Sequence, residues 1–87
     1  MGIPWEKGTE IKFTRLIDKV PVFLRDMARE KIAKKAEALT RDADRTEISE
    51  QEMVDAFFAE TPFGFHGPMK CDMEELGIDY TRYGHPR

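Results

Sequence analysis

At 87 residues the chain is bounded to one domain with one modest core, enough to bury roughly 60–65% of its unfolded surface. Apolar residues (40%) and charged residues (36%) are interleaved, which excludes wholesale disorder, and a formal net charge of -3 weighs against nucleic acid as a partner. The single cysteine, Cys71, excludes an intrachain disulfide, and no apolar run approaches the ~20 residues of a membrane span, so a reducing, cytoplasmic setting is expected without membrane association.

The first element follows Ile3, Pro4 and Trp5. Phe13, Leu16, Ile17 and Val20 fall on one helical face, which predicts a helix over about 9–18 with Thr9 as N-cap and Trp5 folded back onto it. Pro21 stops that run and serves the first turn of a second helix, where its missing N–H costs nothing. This second helix is predicted over 22–42, with the stripe Leu24, Ala28, Ile32, Ala36, Leu39 facing the core and Phe23 and Met27 on its flanks. Ser49 and Glu52 form a capping box that fixes the start of a third helix at Glu50, with Met53, Ala56 and Phe57 inward. Its end falls near Glu60, ahead of Pro62 and Gly64.

Residues 62–87 are broken by Gly67, Pro68, Gly77 and Gly84, and only 71–76 reads as a short helix. The segment is nevertheless rich in aromatic and apolar side chains, more than a free linker needs, so it is expected to pack on the core or on a partner. The expected architecture is an all-α, three-helix domain over 1–61 with a Gly/Pro-rich tail over 62–87.

No glycine-rich phosphate loop and no nucleophile motif is present, so no catalytic residue is assigned and activity in isolation is not expected. His66, Cys71 and His85 are the weak candidates for a metal or an axial haem ligand. Their spacing fits no zinc or cluster motif, and one thiolate cannot hold an iron–sulfur cluster, so packing and solvation are the plainer roles. Arg25, Arg29, Lys31, Lys34 and Lys35 make a partly basic face, but Asp26 and Glu30 among them make it a mixed, solvated one.

The order of features from Trp5 to Ala59 resembles the PCP_red domain, the helical domain at the C-terminus of the B subunit of light-independent protochlorophyllide reductase. The residues that carry the likeness are Trp5, the junction Val20-Pro21-Val22-Phe23-Leu24-Arg25, the run Arg29 to Ala33, and Glu47-Ile48-Ser49 followed by Val54 and Ala56. The resemblance implies a helical domain that, in the large enzyme, lies near a tetrapyrrole. It does not imply a reductase, because the cluster cysteines of that enzyme lie in another domain.

The functional expectation is a stand-alone helical accessory module that binds a protein partner, itself included, or a tetrapyrrole. Phe23, Arg25 and Arg29 are the candidate ligand-binding residues, with an arginine on a propionate and the phenyl ring on the macrocycle. The structural alternative has Phe23 in the core and Arg25 in an internal pair or a helix cap. A different class of function is a non-catalytic subunit of a larger tetrapyrrole-reducing or nitrogenase-like complex.

Overall fold

A computed structural model describes residues 2–87 and is all-helical. Four helices follow in order, α1 (Lys7–Asp18), α2 (Val22–Asp42), α3 (Glu50–Glu60) and α4 (His66–Glu75), with 3₁₀ turns at Phe63–Phe65 and Tyr80–Tyr83. No helix among the described residues is long and apolar enough to cross a membrane.

Helix α1 starts two residues earlier than its sequence predicts. Glu6 is the N-cap, and Thr9 lies buried inside the helix with its hydroxyl 3.5 Å from Glu6 Oε1. Gly8 sits in the first turn, where its low helix propensity costs least. Trp5 does fold back, its ring stacked on Phe13 at 4.4 Å between centroids. A parallel bridge holds this entry segment against the α2–α3 loop, with Glu6 N–H donating to the Ile48 carbonyl (3.0 Å) and Ile48 N–H to that of Pro4 (2.9 Å).

Pro21 turns the chain into α2, and Arg25 ties the corner by donating from Nε to the Val20 carbonyl at 2.8 Å and from Nη2 to that of Asp18. These bonds satisfy carbonyls that the end of α1 leaves without partners. At the other end of α2, Asp44 takes the left-handed conformation at φ 57°. Arg45 N–H bonds the Thr40 carbonyl and Asp44 N–H that of Arg41, a Schellman cap with aspartate where glycine is usual. Thr40 itself is buried, its hydroxyl donating to the Ala36 carbonyl at 2.7 Å.

Helix α3 has the expected capping box, Ser49 N–H donating to Glu52 Oε1 at 3.0 Å. Helix α4 starts five residues before the predicted 71–76, because Gly67 and Pro68 fall in its first turn, where a missing N–H has no intrahelical partner to lose. It ends in a second Schellman cap. Gly77, at φ 76°, donates to the Glu74 carbonyl, and Ile78 to that of Met73, with both apolar side chains of the motif buried.

The core draws on every helix: Phe13, Leu16 and Ile17 of α1, Ile32 and Ala36 of α2, Met53, Val54, Ala56 and Phe57 of α3, Met69 and Met73 of α4. Ile48, Ile78 and Tyr80 complete it, so the segment after Thr61 contributes four of its buried side chains. The last residues are clasped to α3. Tyr83 donates to Glu50 Oε2 (2.7 Å), and Glu50 also pairs with Lys12. His85 Nε2 lies 2.6 Å from Asp55 Oδ1, with its ring stacked on Phe58 at 3.9 Å.

The clasp has a pH signature. Burial and the hydrogen bond to Glu50 push the Tyr83 phenol up from 10.0 to about 12, so folding favours its neutral form. Its contribution to stability is therefore complete below pH about 10 and is lost as pH rises through about 12. Burial raises the Glu50 carboxyl, but hydrogen bonds from Lys12 and Tyr83 outweigh it and hold the group below its usual 4.5, so that contribution is lost only in acid. Tyr83→Phe is expected to flatten the decline in thermal midpoint over this alkaline window and to leave Tyr80, itself raised by its hydrogen bond to Glu74, as the one remaining late tyrosinate step in absorbance. An unchanged alkaline decline in the variant would disprove the assignment.

Candidate functional site

The site arises from a mismatch in helix length. Helix α2 has 21 residues and α3 has 11, about 31 and 17 Å at the helical rise. Running back from the α2–α3 loop, α3 ends roughly level with Ile32, and the first turns of α2 extend past it. Their apolar side chains consequently stand in solvent: Val22 is 75% exposed, Phe23 84% and Met27 54%. Phe23 and Met27, read from the sequence as flanking a buried stripe, thus lie outside the core, and Ile32, Ala36 and Thr40 are the buried residues of α2.

Between this overhang and the turn after α3 lies an open apolar groove of about 490 Å³. Leu16, Ile32, Phe57 and Met69, all buried, make its floor. Leu24, Met27 and Ala28 stand on the α2 side, and Pro62, Phe65 and Pro68 on the α3–α4 side. The prolines and the 3₁₀ turn hold Phe63 and Phe65 outward, 88% and 64% exposed. The charges at the groove are segregated. Lys19 and Lys31 come from the α1–α2 side, Glu60 and Asp72 from the α3–α4 side. Lys31, Glu60 and Asp72 make no ion pair among the described residues, whereas Lys19 reaches Glu75 at 3.1 Å.

The sequence-predicted site residues do not converge. Phe23 is exposed on α2 and does not line the groove, Arg25 is committed to the corner carbonyls, and Arg29 reaches only Asp26, at 3.4 Å on an exposed surface. His66 Nε2 donates to the Thr61 carbonyl at 2.9 Å, and its ring meets the Phe58 ring edge-on. Cys71 is exposed and unpaired, and His85 belongs to the tail clasp. Among the described residues, no three His, Cys, Asp or Glu side chains gather as a metal site would require. The groove, whose α3–α4 wall has no counterpart in the sequence reading, could have been anticipated from the unequal lengths of α2 and α3.

A model for a family described as "Protein of unknown function (DUF2621)" matches residues 3–86. That match overturns the resemblance to the PCP_red domain, and nothing in it points to protochlorophyllide reductase. The shared proline–aromatic–arginine run has a local structural use here, since Pro21 and Arg25 build the α1–α2 corner. No curated protein and no solved structure matches the chain.

Proposed function

The chain belongs to the DUF2621 family, and from that premise we propose that it is a protein-docking module whose groove receives the apolar, charge-segregated surface of another protein chain. The observation that carries this reading is the open apolar groove itself, with Met27 54% exposed on its α2 wall and Phe65 64% exposed on its α3–α4 wall. A contiguous apolar patch of this kind on a small domain is characteristic of an interaction surface, and large aromatic side chains supply most of the affinity at such surfaces. A reducing, cytoplasmic setting suits the exposed thiol of Cys71.

Carbene photolabelling read by peptide mass spectrometry tests the proposal, comparing cells that make the protein at its natural level with the purified chain at high dilution. Met27 and Phe65 are expected to be severalfold less labelled in the cell, while Ile11, 54% exposed on α1 outside the groove, is labelled equally in both. Equal labelling of Met27 and Phe65 in the two settings would sink the docking reading.

A further inference from the structure

We infer that the chain docked in the groove is a second copy of this one, related by a two-fold axis that runs along the groove; this rests on the docking reading above. Two features of the surface support a self-complementary contact.

The first is charge. A two-fold axis lying along the groove turns each copy's α1–α2 side against the other's α3–α4 side. Lys31 of one copy then faces Glu60 and Asp72 of the other, and the same pairing repeats across the axis. An axis across the groove would instead oppose lysine to lysine and acid to acid. Only the first arrangement gives partners to the groove charges that have none within their own chain.

The second is the apolar surface. Met27 on the α2 wall is 54% exposed and Phe65 on the α3–α4 wall 64%. The same axis sets Met27 of one copy opposite Phe65 of the other, so that each covers a side chain its own chain leaves open.

Sedimentation velocity on the purified full chain from about 1 µM to about 1 mM is expected to show a monomer–dimer equilibrium. Phe65→Asp is expected to raise the dimer dissociation constant by about thirtyfold or more, since a symmetric contact loses each side chain twice. Lys31→Glu is expected to raise it about tenfold, and the double variant Lys31→Glu with Glu60→Lys to recover most of that loss. Glu10→Lys, a change on the exposed face of α1, should leave it unchanged. The substituted groove residues are exposed, so circular dichroism midpoints should stay near the wild-type value and separate lost association from lost folding.

A monomer at every concentration overturns the inference. In that case, protection of Met27 and Phe65 in the cell keeps the docking reading and assigns the groove to a different protein, whereas its absence removes both. A dimer indifferent to Phe65→Asp places the contact elsewhere on the surface and overturns the inference. A double charge variant weaker than either single variant overturns the axis along the groove.

Discussion

A chain ending at Thr61 is expected to lose its cooperative thermal transition. The cut removes Met69, Met73, Ile78 and Tyr80, which are between 0 and 8% exposed, together with the bonds from Tyr83 and His85 to α3. At about 1.5–3 kcal/mol for each large apolar side chain buried, the four contribute roughly 6–12 kcal/mol. The whole stability of a domain this size is about 4–13 kcal/mol, so the three remaining helices have too little core to hold one another. Near-ultraviolet dichroism and a denaturant titration of the shortened chain check this. The milder Met73→Ala is expected to keep the fold and cost about 2–5 kcal/mol, the range for emptying a fully buried methionine site. A shortened chain with an unchanged midpoint would make the last third of the protein an appendage.

Glu52→Ala is expected to be the most damaging change at a charged position, at about 2–3 kcal/mol. Glu52 is only 4% exposed, accepts from the Ser49 backbone and hydroxyl, and lies 3.5 Å from Arg45 Nε. Alanine would remove the Glu52 half of the capping box and leave the N–H of the half-buried Ser49 without its partner. Glutamine keeps the capping geometry and loses only the charge on Arg45, which is half exposed, so Glu52→Gln should cost no more than about 1 kcal/mol. Urea unfolding of both variants at neutral pH distinguishes the two contributions. Equal losses would put the weight on the Arg45 pair instead of the cap.

The three long helices were legible because each carries a local signal strong enough to survive tertiary packing. Pro21 and the Ser49–Glu52 box set starts that the structure reproduces, and Pro62 with Gly64 sets an end. The start of α4 was hidden because Gly67 and Pro68 read as breakers, although at a first turn they break nothing. The orientation of Phe23 and Met27 was misread for a different reason. Periodicity reports which face of a helix is apolar, but only the length of the neighbouring helix decides how much of that face is covered. The likeness to PCP_red rested on a junction that any chain turning from one helix into another by proline and arginine can use. Of the candidate site, the aromatic residues were visible in the sequence and their convergence was not, because the wall opposite α2 is built by residues beyond Thr61.

The bridge between Trp5 and Ile48 joins the chain before α1 to the chain before α3. Everything between them, two helices and their corner, forms one closed loop held by a pair of backbone bonds and the stacked Trp5 and Phe13 rings. Closing so long a loop costs entropy that local helix formation cannot recover, so this contact sets much of the search that folding must complete. The protein is helical in content, yet this closure is of the kind a β-sheet needs: two distant strands of chain finding each other.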